Sequence, residues 1–301
     1  MRLFKQFLII LCFIIAPFNI ADTKLIILGS GTPNPDPDRG GSGYAVIVNS
    51  QIFLVDFGVG IIRNAAKIST NWGGSIEDLS VVNIEHAFLT HIHSDHTMGL
   101  ADLLLTPWVM GRSNPVKLFG PVGLEEMAKN TIAAYQEDIN YRINGTQPAN
   151  KTGFLFEFNE LREGIIFSNQ DITVEAFKVD HGDFNDAYGF KFTTQDKVIV
   201  FSGDTGVSKN LEKYSQNVDI LVHEVYSQAG FEKKTPDWQR YHRAHHTSTL
   251  ELGEIANRTQ PKKLVLSHIL FWGSSPQDIL NEVAGVYPGQ VIIAEDGMII
   301  E

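Results

Sequence analysis

The sequence contains a single cysteine, and this scarcity excludes several kinds of protein. One Cys among 301 residues permits no intramolecular disulfide framework and no zinc site built from several thiolates. Basic residues are also few, since 24 Lys and Arg stand against 35 Asp and Glu and give a formal net charge of −11. An acidic surface repels polyphosphate, which disfavours broad nucleic-acid binding. The apolar fraction of 43% is high enough for a packed core and excludes a disordered chain.

The first 21 residues have the pattern of a secretory signal peptide. Arg2 and Lys5 precede an apolar run over residues 7–16, and the small residue Ala21 comes before a polar stretch. The run is too short for a comfortable membrane span. We therefore predict cleavage after Ala21, an exported protein (periplasmic or secreted) and no stable membrane insertion afterwards. An uncleaved N-terminal membrane anchor is the alternative.

Residues 22–301 are predicted to form one α/β domain. Short apolar strands alternate with amphipathic helical stretches in both halves of the chain, and no low-complexity linker separates the halves. This alternation predicts two sheets faced by helices. Asn140–Gly153, which is rich in Asn, Gly and Thr, is predicted to be a surface loop.

Histidines cluster in one short motif directly after a predicted strand at 87–90. The motif places His91, His93, Asp95 and His96 within six residues. A strand-to-loop junction can turn several such side chains toward one point. Imidazole nitrogens together with a carboxylate suit zinc, and also iron or manganese. The motif therefore predicts a metal site.

The motif resembles that of the metallo-β-lactamase superfamily, and later segments match the family in the same order. These segments are Val179-Asp-His181-Gly, Ser202-Gly203-Asp204-Thr205 and Leu266-Ser-His268. The resemblance implies a four-layer αββα sandwich with two divalent metal ions, zinc by preference, at its edge. It implies that the first ion binds His91, His93 and His181, and the second binds Asp95, His96 and His268. Asp204 and a hydroxide would bridge the two ions.

Further motifs narrow the branch of the superfamily. True β-lactamases generally have Cys, Ser or His where Asp204 stands, whereas aspartate there resembles phosphodiesterases, sulfatases, lactonases and glyoxalase-type members. Leu28-Gly-Ser-Gly-Thr-Pro33 and Val55-Asp56-Phe-Gly58 resemble segments of ribonuclease Z and its arylsulfatase-like relatives. Ribonuclease Z has a long tRNA-binding arm between its third metal histidine and its bridging aspartate. Here only residues 182–203 lie between them, which predicts two strands and no arm.

The resemblance also implies roles for residues beside the metals. Asp95 and His246 are predicted to be catalytic, Asp95 by fixing the nucleophile and His246 by stabilising or protonating the leaving oxygen. His246 precedes a predicted helix at 249–258, so we expect it beside free amides and a positive dipole end. His223 and Glu224 are expected to orient His246 or a metal ligand, and Asp56 to organise loop amides. Predicted substrate-binding residues in the basic, aromatic segment 231–243 are Trp238, Arg240 and Tyr241.

The leading hypothesis is an exported dinuclear metal hydrolase that cleaves an anionic phosphodiester or sulfate ester by attack of a metal-bridging hydroxide. The expected partner is a small anionic ester, and the sequence leaves open whether the chain forms a homodimer. Ribonuclease Z-type tRNA 3′ processing is the alternative, in which nucleic acid is the substrate. Lactonase or β-lactamase activity ranks below these. A non-hydrolytic di-iron module is the hypothesis from a different class of protein.

Overall fold

The computed structural model describes residues 22–301, and its strands form two seven-stranded sheets. The signal-peptide prediction concerns residues 1–21 and lies outside the described residues. The first sheet has the order β14 (Ile299–Ile300), β1 (Lys24–Gly29), β2 (Gly43–Val48), β3 (Gln51–Val55), β4 (Ile84–Phe88), β5 (Val116–Gly120) and β6 (Phe156–Glu160). The second has the order β13 (Val291–Ile293), β12 (Lys263–Leu270), β11 (Ile220–Tyr226), β10 (Val198–Phe201), β9 (Tyr188–Thr194), β8 (Ile172–Lys178) and β7 (Gly164–Ser168).

The strand sequences are apolar on both faces because each sheet is covered on both sides. In β1, Leu25 and Ile27 belong to the core between the sheets, whereas Ile26 and Leu28 pack in the outer helical layer. Such double burial explains why the strands have continuous apolar runs rather than alternation. Helices pack on the outer face of the second sheet in the same way. The predicted four-layer αββα architecture is confirmed.

Ten α-helices connect or cover the strands in residues 22–301. They are α1 (Ile61–Ile68), α2 (Ser94–Thr97), α3 (Leu100–Val109), α4 (Leu124–Ala134), α5 (Gln136–Asn144), α6 (Lys209–Tyr214), α7 (Gln228–Glu232), α8 (Pro236–His245), α9 (Thr249–Thr259) and α10 (Pro276–Ala284). Two short 3₁₀ turns cover Thr70–Trp72 and Val81–Asn83. None of these helices is both long and apolar enough to cross a membrane.

Several elements differ from those expected from the sequence. The predicted loop Asn140–Gly153 begins inside α5, which continues to Asn144. Strands β6, β7 and β14 and helices α6 to α8 were not predicted. In β6 and β7 the side chains are partly exposed, because these two strands lie at sheet edges and have only weak apolar patterning.

Parallel strand pairing determines where the site forms. Strands β8 and β10 both pair antiparallel with β9, and β10, β11 and β12 are mutually parallel. Their carboxyl ends therefore meet at one edge of the second sheet. In the first sheet, β4 ends just before the histidine-rich motif, so that this motif reaches the same region.

Candidate metal centre and active site

Three histidines and one aspartate form the first group of candidate metal ligands. His91 Nε2 lies 2.9 Å from His93 Nδ1, and His181 Nε2 lies 3.2 Å from the same nitrogen. Asp204 Oδ2 lies 3.8 Å from His91 Nε2. Ligand atoms bonded to one tetrahedral zinc at about 2.0–2.1 Å lie roughly 3.3 Å apart. The separations therefore fit one cation among these four residues.

A second group consists of Asp95, His96 and His268. Asp95 Oδ2 lies 3.0 Å from His268 Nε2 and 3.5 Å from His96 Nε2. His96 Nε2 is buried without a hydrogen-bond partner, although a buried polar atom is costly when it is unsatisfied. It faces Asp95 and Asp204 carboxylate oxygens, and the latter lies 3.5 Å away. A cation held by these donors would satisfy that nitrogen, so the residues present fit a second metal ion.

Asp204 lies between the two groups. Its Oδ1 faces His96, while its Oδ2 lies 3.6 Å from His268 Nε2 as well as close to His91. The carboxylate is buried and follows β10 directly. One carboxylate that faces both groups is the arrangement that a bridging ligand requires. The structure thus brings together all seven side chains predicted as metal ligands.

A β-bulge presents His268 to this site. In the pairing of β11 with β12, Glu224 opposes Ser267 and Val225 opposes Ile269, which leaves His268 as the extra residue. Its φ angle is +47°, a conformation that is rare for residues other than glycine. Its backbone N–H donates to Ser30 O at 3.1 Å. Bulges redirect side chains at functional sites, and this one turns an imidazole toward Asp95.

Outer contacts fix the orientation of the imidazoles. The Asp56 carboxylate lies 2.7 Å from His96 Nδ1 and also accepts from the backbone N–H of Thr90 at 2.8 Å. His181 Nδ1 donates to the carbonyl of His245 at 2.8 Å. Because a carboxylate and a carbonyl only accept, these contacts place the proton on Nδ1 and leave Nε2 of both rings free to bind a cation. Asp56 thus contacts a candidate ligand directly, and one of its loop-amide partners is Thr90.

The two groups have opposite electrostatic character in the metal-free chain. Burial lowers the pKa of His91 well below its usual value and lowers that of His181 to about 4. Burial opposes protonation of His268 as well, but the nearby Asp204 and Asp95 carboxylates raise its pKa to about 9. His96 has a raised pKa for the same reason. The first group is therefore ready to bind a cation, whereas the second holds protons that a cation must displace.

His246 and Glu224 form a buried pair beside Asp204. His246 Nδ1 lies 3.3 Å from Glu224 Oε2, without the alignment of a hydrogen bond, and 3.9 Å from Asp204 Oδ2. Glu224 Oε1 accepts from the backbone N–H of Thr247 at 2.9 Å. Burial lowers the pKa of His246 to about 4 and raises the pKa of Glu224 well above its usual value. The pair therefore has a neutral imidazole next to a protonated carboxyl group.

The expected helix N-terminus beside His246 needs correction. His246 is the C-cap residue that follows α8. The α9 N-cap is Ser248, whose side chain accepts from the Glu251 N–H while the Glu251 side chain accepts from the Ser248 N–H. This capping box satisfies the backbone N–H groups of Ser248 and Glu251. The neighbours that place His246 are the α8–α9 junction and Glu224.

His223 also differs from its predicted role. It alternates with Glu224 along β11, and its neighbours on the same face, Leu221 and Val225, belong to the outer core under α9 and α10. Successive side chains of a strand point to opposite faces. His223 therefore points away from His246, and its Nδ1 donates to the carbonyl of Glu224 at 2.5 Å.

A cavity of about 400 Å³ opens beside the two ligand groups. Its lining residues are Pro33, Asn34, His93, Ser94, Asp95, Asp204, Lys234, Trp238, Tyr241, His242, His246, His268, Leu270 and Trp272. Its volume is in the range of small-molecule sites. Pro33 ends the glycine-rich motif that resembles ribonuclease Z, but neither Pro33 nor Asn34 was predicted to line a substrate cavity.

Helix α8 provides the aromatic wall of this cavity. Trp238, Tyr241 and His242 lie three and four residues apart and share one helix face. The Trp238 and His242 rings stack with centroids 5.5 Å apart. Arg240, which was predicted to bind substrate, lies on another face of α8, forms an ion pair with Asp237 and lines a separate surface depression. The substrate-binding prediction is therefore corrected for Arg240, whereas Trp238 and Tyr241 lie on the cavity wall.

Comparison with known proteins gives consistent matches over most of the chain. The family described as "Anti-Pycsar protein Apyc1" matches residues 23–266. A protein named "Ribonuclease Z" from Mycobacterium bovis (strain BCG / Pasteur 1173P2) is 31% identical over 248 residues, which cover 81% of this chain and 85% of the relative.

Solved structures show the same fold at lower sequence identity. The metallo-β-lactamase fold protein YhfI from Bacillus subtilis aligns with a TM-score of 0.70 and 18% identity over 92% of this chain and 98% of its own. The short form of human tRNase Z aligns with a TM-score of 0.69 and 22% identity over 92% of this chain and 98% of its own.

Proposed function

Because the chain belongs to the family described as Anti-Pycsar protein Apyc1 and to the ribonuclease Z-like hydrolases of the metallo-β-lactamase superfamily, we propose that it is a metal-dependent phosphodiesterase. The observation that carries this proposal is Asp204, which faces both ligand groups beside an open cavity. Relatives named ribonuclease Z favour a phosphodiester over a sulfate ester. Zinc is the metal that the histidine-rich donor set favours.

The seven ligands would hold two divalent cations. When bound, such a pair lowers the pKa of a coordinated water and offsets the charge of an anionic ester. Asp204 would contribute to both positions, because its carboxylate oxygens face both ligand groups. Asp95 is held against His268 and lines the cavity, so its carboxylate can accept a hydrogen bond from the attacking water and fix its direction.

His246 and Glu224 would serve the leaving side of the reaction. His246 lines the cavity and is neutral, so its ring can donate one proton from Nε2 to a leaving oxygen while Nδ1 receives another. Glu224 is the candidate source of that second proton, because burial raises the pKa of its carboxyl group well above its usual value. This relay protonates a poor leaving group without a buried imidazolium ion.

Two classes of substrate are compatible with this proposal, namely precursor tRNA and a small diester. The relatives named ribonuclease Z favour precursor tRNA. The segment between His181 and Asp204 favours a small diester. This segment forms only a turn and the β9–β10 hairpin, without a tRNA-binding arm, as the sequence predicted. We propose that cleavage of RNA by this chain does not depend on such an arm. Export of the mature chain, through cleavage after Ala21, remains part of the proposal.

The test uses purified protein loaded with Zn²⁺ or Mn²⁺ and three substrates: precursor tRNA, bis(p-nitrophenyl) phosphate and p-nitrophenyl sulfate. We expect hydrolysis of the phosphodiesters, and loss of at least 10³-fold in kcat/KM for Asp204→Asn. Asp237→Asn, which changes an exposed carboxylate of α8, is the matched control and should retain activity. Hydrolysis of only the sulfate, or full activity of Asp204→Asn, would refute the proposal.

A further inference from the structure

Lys234 is the one Lys or Arg side chain among the described residues that line the cavity. Its Nζ lies 4.4 Å from the centroid of the Trp272 ring. The lysine ion pairs within residues 22–301 are formed by other lysines, namely Lys24, Lys129, Lys178, Lys197 and Lys262. A cation held over an aromatic ring, in a half-buried position and without a carboxylate partner, is available to an anionic ligand.

Rings separate Lys234 from the proposed site of reaction. The His246 and His242 centroids are 5.7 Å apart, and the His242 and Trp272 centroids are 4.4 Å apart. Lys234 lies against Trp272, the ring at the opposite end of this series from His246. A phosphate held between the two ligand groups would lie next to His246. Lys234 is therefore placed to meet a different part of the substrate.

The wall next to Lys234 suits a planar group. Trp238 is 56% exposed although it lines the cavity, and it stacks on His242. Tyr241, on the same helix face, is 38% exposed. Exposed aromatic rings on a concave wall stack with planar ligands such as nucleobases. The cavity thus combines a candidate reaction centre, an aromatic surface and one lysine cation.

We propose that Lys234 binds a second phosphate group of the substrate, so that the preferred substrate is a nucleotide diester that carries a further phosphate beyond the one attacked. This inference rests on the proposed phosphodiesterase function. It makes Lys234 a specificity residue: its charge selects for the additional phosphate and takes no part in bond cleavage. The formal net charge of −11 supports this assignment, since most of the surface repels an additional anion, whereas Lys234 offers a cation without a carboxylate partner at the cavity wall.

Binding measurements test this without requiring turnover. Zinc-loaded protein is titrated calorimetrically with thymidine 5′-monophosphate and with thymidine 3′,5′-bisphosphate. We expect wild-type protein to bind the bisphosphate about tenfold more tightly than the monophosphate. A tenfold ratio of the two Kd values corresponds to one charge-assisted contact that is partly open to water. Lys234→Met keeps the length of the side chain and should abolish this preference while it leaves the monophosphate Kd within about twofold. Lys234→Arg should preserve the preference.

Lys233→Met is the matched control, because Lys233 is exposed next to Lys234 and does not line the cavity. It should behave as the wild type. The proposal is overturned if the wild type shows no preference for the bisphosphate, or if Lys234→Met retains that preference. It is also overturned if Lys234→Met weakens the binding of both ligands equally, because that result would indicate a structural role.

Turnover separates this inference from the proposed function. The substrates are thymidine 5′-(p-nitrophenyl phosphate) with and without a 3′-phosphate, which share the attacked centre and the leaving group. Absence of hydrolysis together with a Lys234-dependent binding preference would refute the phosphodiesterase function and retain the phosphate contact. Hydrolysis of both substrates with equal kcat/KM, in the wild type and in Lys234→Met alike, would support the phosphodiesterase function and refute the phosphate contact.

Discussion

The carboxylate of Asp56 lies 2.7 Å from Nδ1 of His96 and positions that ring for its contact with Asp204. Asp56 has a φ of +56°, and its carboxylate accepts hydrogen bonds from the backbone N–H and from the hydroxyl group of Thr90. A single buried carboxylate therefore joins the end of β3 to the loop that carries the histidine motif. Such contacts behind a metal ligand affect metal affinity about 10–100-fold.

Asp56→Asn should accordingly lower metal affinity by about 10–100-fold, because an amide cannot accept from His96 and Thr90 as the carboxylate does. The measurement is competition for Zn²⁺ against a chromophoric chelator. Asp171→Asn is the control, since Asp171 is also a buried carboxylate but accepts from Asn49 and Gln51, away from the site. Equal losses in both variants would show that Asp56 has no specific role in metal binding.

Metal binding should release protons at neutral pH. The pKa of His268 is raised to about 9 and that of His96 is raised as well, so both rings are protonated in the metal-free chain at pH 7. A cation must displace these protons, and its affinity should rise between pH 7 and pH 9 as His268 loses its proton. Calorimetric titrations in buffers of different ionisation enthalpy measure the number released. Release of no proton at pH 7 would contradict the assignment.

The His246–Glu224 pair predicts a dependence on the leaving group. His246→Ala should lower kcat by about 10²–10⁴-fold for thymidylyl-(3′→5′)-thymidine, whose alkoxide requires a proton as it leaves. The loss should be much smaller for bis(p-nitrophenyl) phosphate, because p-nitrophenoxide leaves without protonation. Glu224→Gln should show the same split while its amide oxygen can still accept from Thr247. Equal losses for both substrates would indicate that the pair supports structure only.

Much of the fold and of the ligand set could be predicted from the sequence, because the signals are local. Apolar strands are covered on both faces, and His91 to His96 lie in one six-residue motif. Distant ligands such as His181 and His268 could be assigned only through the family resemblance. The bulge that turns His268 toward Asp95 has no signature in the residues themselves.

Side-chain direction was the main thing that the sequence could not supply. The segment 231–243 was recognised as basic and aromatic, but the rotational position of α8 decides that Trp238 lines the cavity while Arg240 does not. Similarly, His223 and Glu224 are adjacent in sequence, and the pleat of β11 sends them to opposite faces. Both outcomes depend on how an element packs, which composition does not determine.

Arg112 provides a test of stability that is independent of the site. Its buried guanidinium donates to the carbonyls of Ile84, Leu104 and Gly153, and burial lowers its pKa to about 10. Arg112→Met removes the donors to these carbonyls and should cost roughly 3 kcal/mol of unfolding free energy. Denaturant unfolding measures the cost, and kcat/KM at 25 °C should remain within about twofold. A change of less than about 0.5 kcal/mol would refute the role of Arg112.

The central claim is that seven side chains hold two divalent cations with Asp204 between them. Metal analysis of purified wild-type protein and of Asp204→Ala, after incubation with Zn²⁺ and removal of free metal, tests it most directly. We expect two ions per wild-type chain and at most one in the variant. One ion or none in the wild type, or two in Asp204→Ala, would contradict it.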